Sequence, residues 1–281
     1  MSAIEEVFAR CAEERRAAFI AFLMAGDPNL AATAACLDAV AAGGADIVEL
    51  GVPFSDPIAD GPVNQRAAVR ALASGTKLSA VLELVARHRD RLGIPVVLFT
   101  YFNPIHARGV ERFAEQAAAS GVDGVVCVDL PPEEGKADLV PALRNRGVDT
   151  IFLLAPTSTR ERVARVAEVS SGFVYYVSRT GVTGERSALP AELLRDLKRL
   201  RRRLDLPLAV GFGISTPEQV AAVGEVADGV VVGSALVRLI EERGAGPDLA
   251  SALEEKVREL SAPLQRRPPE RLAGLLGRGR G

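Results

Sequence analysis

Eight short runs of the chain are apolar almost without interruption: residues 18–24, 46–50, 95–101, 124–129, 150–154, 173–177, 207–212 and 229–232. They do not alternate apolar with polar positions. Continuous β-branched runs of this length mark strands buried on both faces, as in a parallel sheet covered by helices. Between the runs the period becomes helical. Residues 192–204 put Leu193, Leu194, Leu197, Leu200 and Leu204 on one stripe, with Arg195, Lys198, Arg199, Arg201, Arg202 and Arg203 opposite. That basic side reads as an outer helix face turned to water and not as a nucleic-acid patch. Ser158-Thr159-Arg160-Glu161 and Ser215-Thr216-Pro217-Glu218 each supply a capping residue followed by acid or proline, the signature of a helix start.

Eight strand–helix units in one run predict a single (β/α)8 barrel, a TIM barrel. The rival is a doubly wound open sheet, which needs fewer strands and a glycine fingerprint after the first. Here the first strand ends Met24-Ala25-Gly26-Asp27-Pro28, which is not that fingerprint. Residues before Ala17 predict an extra N-terminal helix covering the barrel floor. After Ala262 the composition turns to Pro, Arg and Gly, so the expected division is a barrel over 1–262 and a disordered basic tail over 263–281.

Composition narrows the function classes. The chain has 281 residues, 48 % hydrophobic and 25 % charged, with a formal net charge of −2. No global field recruits nucleic acid, so an anionic ligand must be caught locally. The three cysteines, Cys11, Cys36 and Cys127, form no CxxC pair, which argues against a disulfide framework and for a reducing cytoplasm. The acidic N-terminus is no signal peptide, and no apolar stretch approaches the ~20 residues of a membrane helix. His88 and His106 lack a partner at metal-ligand spacing, so no metal site is expected.

In such a barrel, chemistry sits at the C-terminal ends of the strands. The second strand carries Glu49 inside Ile47-Val48-Glu49-Leu50-Gly51. A buried carboxylate is either paired or raised in pKa, and a raised pKa near neutrality suits general acid–base work. The alternative is an outward Glu in a structural ion pair. The following loop, Val52 to Pro62, is stiffened by proline and holds Asp56 and Asp60 over the mouth. Asp60 also precedes a helix starting near Pro62, so a capping role stays open. Gly211-Phe212-Gly213 and Gly233-Ser234 end the last two strands, where glycine amides and a helix N-terminus can hold phosphate. The loop from Ser178 to Arg186 has the glycines of a mobile lid.

The string Glu49-Leu50-Gly51-Val52-Pro53-Phe54-Ser55-Asp56-Pro57-Ile58-Ala59-Asp60-Gly61-Pro62 resembles the tryptophan synthase α family. So do Tyr101-Phe102-Asn103-Pro104, Asp129-Leu130-Pro131-Pro132-Glu133-Glu134, Ser178-Arg179-Thr180-Gly181-Val182-Thr183-Gly184 and Gly211-Phe212-Gly213-Ile214-Ser215. The resemblance implies that Glu49 and Asp60 are the catalytic carboxylates of a retro-aldol cleavage of indole-3-glycerol phosphate. It implies a lid threonine at Thr183, phosphate-binding positions at Gly184, Gly213, Gly233 and Ser234, and indole-pocket walls at Phe22, Leu98, Tyr175 and Phe212. It further implies a partner, a β subunit that carries the pyridoxal phosphate in an αββα assembly, met by the Pro53–Asp60 loop and the region of Pro131-Pro132. No cofactor is implied in this chain. Asn64, where the family commonly has an aliphatic residue, a short lid and the basic tail depart from the pattern. Two rival readings remain at this stage: another phosphosugar barrel enzyme such as an isomerase or epimerase, and a catalytically idle subunit that only activates β. A free-standing indole-producing lyase is a closer variant.

Overall fold

The computed structural model describes residues 1–177, 191–211 and 213–266. Its strands are β1 (Ala18–Met24), β2 (Ile47–Gly51), β3 (Val96–Thr100), β4 (Gly124–Cys127), β5 (Asp149–Ile151), β6 (Leu153–Leu154), β7 (Val174–Val177), β8 (Leu208–Gly211) and β9 (Gly229–Val232). All pair in parallel, in the order β5-β4-β3-β2-β1-β9-β8-β7-β6. The two edges are consecutive in sequence, separated only by Phe152. Ser171 N–H donates to the Thr150 carbonyl at 2.8 Å and Tyr175 N–H to the Phe152 carbonyl at 3.1 Å, which carries the pairing across the break. The sheet therefore closes into an eight-membered barrel whose fifth strand is split. The first and last strands match the sequence expectation residue for residue, and the others shift by a few residues at their ends.

Side-chain alternation divides the core into two shells. Phe19, Ala21, Leu23, Val48, Leu50 and Leu98 point out to the helices. Ile20, Phe22, Ile47, Val97, Val126 and Tyr175 fill the lumen. Both shells are apolar, which explains why the strands read as unbroken hydrophobic runs. In the helix Ala191–Arg201, Leu193 and Leu197 are buried and Arg199 pairs with Asp196 at 3.0 Å on the outside, as the stripe predicts.

The N-terminal helix Ala3–Glu13 plugs the floor. Ser2 and Glu5 form a reciprocal capping box, and Ser2 Oγ also donates to Asp149 Oδ2 at 2.5 Å. Ile4, Val7, Phe8 and Cys11 enter the lumen cluster, with the Phe8 ring 5.6 Å from that of Phe173. Glycines at strand starts make room for the plug. A Cβ on Gly124 would stand 2.8 Å from Ile4 Cδ1, and one on Gly229 would stand 3.2 Å from Phe8 Cε1. Truncating Phe8→Ala is expected to destabilise the fold by about 3–5 kcal/mol, read by urea unfolding. A loss under about 1 kcal/mol would show that the plug carries little of the core's stability.

A repeated polar device locks the floor. Asp46, Asp123 and Asp228 accept the backbone N–H of Phe19, Val96 and Leu208, each at 2.8 Å. Arg16 and Arg89 fork onto the first two at 2.5–2.9 Å, and Arg201 pairs with the third. Each carboxylate satisfies an amide at the start of the neighbouring strand and is itself neutralised, so the charge is not left bare. The packed chain also runs past the boundary expected at 262. Residues Ala262–Arg266 form a 3-10 turn, and Leu264 is buried in the outer shell. The rest of the basic tail lies outside the described residues. Among the described residues no helix is long and apolar enough to cross a membrane.

Candidate active site

Alternation along β2 settles where Glu49 points. Ile47 faces the lumen, Val48 and Leu50 face the helices, and Glu49 shares the Ile47 face. It is fully buried, and neither carboxyl oxygen meets a hydrogen-bond donor among the described residues. The outward ion-pair alternative is thereby removed. Burial in apolar surroundings disfavours the charged form, and nothing opposes it, so the carboxyl is pushed up to about 8. A group of this kind holds its proton at neutral pH and can both give and take one.

Asp60 reaches the same space from the loop after β2. It does not cap the helix Pro62–Ala73, whose N-cap is Gly61 with no side-chain cap bond. Instead the Tyr101 hydroxyl donates to Asp60 Oδ2 at 2.8 Å while accepting the Ala59 N–H at 3.0 Å. The Phe54 ring packs 5.0 Å from that of Tyr101 and fixes it. Burial raises the Asp60 carboxyl, while hydrogen bonds from Tyr101 and Asn64 pull it down. Asp56, its neighbour in the loop, is exposed and bound by Ser55 Oγ at 2.5 Å, and takes no part.

Tyr175 links the two acids. It lies in the lumen, and the charges of both Glu49 and Asp60 add to burial in raising its hydroxyl far above the usual range. One aromatic wall therefore faces both carboxyls. A Cβ on Gly211 would fall 2.4 Å from the Tyr175 oxygen, so only glycine admits the ring there. Phe22 is paired in register with Glu49 and forms the adjoining wall, stacking edge-on to Phe99 at 5.4 Å. Leu98 does not line this space. It belongs to the outer shell, and the lumen position on β3 is Phe99. In an all-apolar strand a one-residue difference exchanges the two faces, and sequence alone carries no mark of it.

The rim at the end of β9 is suited to an anion. Gly233 is the N-cap of the helix Ser234–Arg243 and has no side-chain cap bond. Its Cα is so close to Phe22 that an added Cβ would stand 3.3 Å from that side chain, which puts the helix N-terminus beside the lumen. First-turn amides of a helix have no intrahelical partner and favour negative charge. Gly213 has φ +65°, a left-handed backbone that glycine adopts without strain. Thr183, Gly184 and Phe212 lie outside the described residues.

Ion pairs hold the two rims together. Arg70 forks onto Asp27 at 2.7 and 2.8 Å and reaches Glu241 at 2.8 Å, while Arg66 forks onto Glu241 at 2.7 Å. The helix that follows Asp60 is thus tied to the loop after β1 and to the helix of Ser234. Sequence reasoning missed Tyr101, Phe99 and these arginines as site components. Tyr101 stood inside a recognised block, but its partner, 41 residues away, is visible only in the fold. A separate cleft of about 300 Å3 opens outside the barrel between Thr159, Tyr176 and Arg199. It is backed by Tyr176, on the outer face of β7, and none of the predicted site residues lines it.

A closed parallel barrel with one buried acid and one partly buried acid, a shared aromatic wall and an anion-ready rim at one mouth defines a barrel enzyme that works on a phosphorylated aromatic substrate by proton transfer. The family model for the tryptophan synthase alpha chain matches residues 8–265. A tryptophan synthase alpha chain from Geobacter sp. (strain M21) is 56 % identical over 242 residues, covering 86 % of this chain and 90 % of the relative. That of Geobacter sulfurreducens is 51 % identical over 263 residues, covering 92 % and 99 %. A crystal structure of tryptophan synthase from M. tuberculosis in an open form superposes with a TM-score of 0.85 at 36 % identity, covering 95 % of this chain and 100 % of that one. A mutant alpha-subunit from Pyrococcus furiosus gives 0.81 at 41 % identity, covering 88 % and 98 %. The chain belongs to the tryptophan synthase alpha chain family. It is a lyase of tryptophan biosynthesis that cleaves indole-3-glycerol phosphate, needs no cofactor of its own, and works in an αββα complex whose β subunit carries the pyridoxal phosphate.

Proposed function

We propose that Glu49 and Asp60 carry the cleavage between them, with Glu49 moving protons and Asp60 holding charge. Indole is a poor carbon leaving group until C3 is protonated. Protonation places positive charge on the ring nitrogen, and the electrons of the breaking C–C bond can then flow back into the ring. Glu49, which keeps its proton at neutral pH, gives it to C3. As the carboxylate it then takes the proton of the glycerol hydroxyl while that carbon becomes the aldehyde. The acid is regenerated, and indole and glyceraldehyde 3-phosphate leave. Asp60 stays ionised and stabilises the positive ring nitrogen. Phe22, Phe99, Tyr175 and Phe212 form the indole walls in this reading. Gly184, Gly213, Gly233 and Ser234 hold the phosphate, whose remote binding energy orients the bond to be broken. Thr183 closes toward Asp60.

The single observation that carries the reading is the buried Glu49 carboxyl, with no partner among the described residues and raised to about 8 in a lumen it shares with Tyr175. The test is indole release from indole-3-glycerol phosphate across pH. Because the protonated acid starts the cycle, kcat/KM is expected to fall as pH rises through about 8. A profile that stays flat well above that pH would remove Glu49 from the acid role. The loop from Pro53 to Asp60, where Ile58 is 86 % exposed, is the surface proposed to meet the β subunit. The cytoplasm is the proposed compartment, a reading supported by the three free, buried cysteines.

A further inference from the structure

We infer that Asn64 is a positioning residue for Asp60, and that its buried side-chain oxygen is a second acceptor for a donor group of the bound substrate. The inference rests on the reading of Asp60 given above. Asn64 stands one helical turn after Asp60, in the first turn of the helix Pro62–Ala73. Its side chain is within hydrogen-bonding reach of the Asp60 carboxyl. The Tyr101 hydroxyl holds that carboxyl from the other side at 2.8 Å, its own oxygen engaged by the Ala59 N–H. Two donors on two separate elements thus fix the orientation of one carboxylate. The helix that carries Asn64 is itself anchored by Arg66 and Arg70, so the turn cannot drift.

With its N–H aimed at Asp60, the amide turns its Oδ1 away. That oxygen is buried and meets no donor among the described residues. Leaving a buried acceptor unmatched is costly, and an aliphatic side chain of the same size would avoid the cost. The arrangement makes sense if a ligand brings the missing donor. The substrate has one at its ring N–H and others on the glycerol hydroxyls, beside the charge that Asp60 holds.

The charged and titratable groups that face Asp60 are Tyr101 after β3, Tyr175 on β7 and, through Tyr175, Glu49 on β2. None of them is a cation. Among the described residues the ionised form of Asp60 is therefore maintained by neutral donors alone, and removing one must favour its protonated form.

The experiment measures indole release from indole-3-glycerol phosphate across pH for the unaltered protein, Asn64→Leu and Asn64→Asp, with thermal melts alongside. Leucine loses both donor and acceptor; aspartate loses the donor and adds a like charge beside Asp60, which raises that carboxyl by itself, so the limb in Asn64→Leu decides. In both variants the acid limb of kcat/KM is expected to move up by about one pH unit, with a loss approaching about 10-fold on the acid side of that limb that recovers as pH rises. KM is expected to rise several-fold in Asn64→Leu and to stay near the unaltered value in Asn64→Asp at the pH optimum. A merely structural asparagine would lower the melting temperature and scale the whole profile without moving its limb. A limb in Asn64→Leu that superposes on that of the unaltered protein would overturn the inference. An unaltered protein that releases no indole would overturn the reading of Glu49 and Asp60 instead.

Discussion

Replacing Glu49 with glutamine is expected to lower kcat by about 10³- to 10⁴-fold, the range lost when positioned proton transfer is removed. Affinity for a phosphate-bearing ligand should change little, because the proposed anion site, at the ends of β8 and β9, does not include Glu49. The same substitution is expected to make the protein more stable, and increasingly so with pH. The carboxyl is raised from its ordinary 4.5 to about 8 in the folded chain. Below pH 4.5 both folded and unfolded chains keep the proton, and the residue costs nothing through its charge. Above that, the unfolded chain ionises while the folded one does not, so stability falls until the pH passes about 8. Near pH 7 the accumulated cost is about 3 kcal/mol, taking 1.36 kcal/mol per unit. Glutamine does not titrate. Urea unfolding should therefore show the variant gaining on the unaltered protein by about 3 kcal/mol between about pH 4 and pH 7. A gap that does not change with pH would mean that Glu49 is ionised when folded, and the proton-donor role would go with it.

The legibility of this site follows from what each residue has near it in sequence. Glu49 could be found because a lone carboxylate in an apolar run is conspicuous, and its burial then predicts its chemistry. The strands were legible for a related reason: both shells of the barrel are apolar, so each strand is an uninterrupted run. That same property hid which residues face inward. Leu98 and Phe99 are both hydrophobic, and only the closed barrel shows that Phe99 faces the lumen. The break at Phe152 is a lapse in hydrogen bonding with alternation preserved, since Ile151 and Leu153 both point inward, and no residue type announces it. Asn64 registered as a departure from the family pattern with no role attached. Its role depends on Asp60, which is near, but also on Tyr101 and on a helix pinned by Arg66 and Arg70. Contacts such as Tyr101–Asp60 and Arg70–Asp27 join segments about 40 residues apart, and a single sequence offers no signal for them. The floor aspartates, by contrast, had a local mark. Asp46 and Asp123 each follow a glycine at positive φ and one apolar residue at the start of a strand, as does Asp149, whereas Asp228 lacks that mark.

Replacing Asp60 with asparagine is expected to reduce kcat/KM by about 10²- to 10³-fold, comparable to removing one preorganised charge-stabilising group. The variant keeps the shape of the residue. Its amide oxygen can still accept from Tyr101, so the loop should hold and the protein should melt near the unaltered temperature. What disappears is the negative charge beside the ring nitrogen at the moment it becomes positive. In a partly buried site that charge is worth more than it would be on the open surface. The pH profile separates this from a packing defect. Burial raises the Asp60 carboxyl above the ordinary aspartate range, and activity requires its ionised form, so the unaltered protein should lose activity as pH falls through that raised value. Asparagine has no such titration. The residual activity of Asp60→Asn is therefore expected to lack the acid limb while keeping the alkaline fall assigned to Glu49. If the acid limb persists unchanged in the variant, another group governs it and Asp60 is not the charge that the reaction uses.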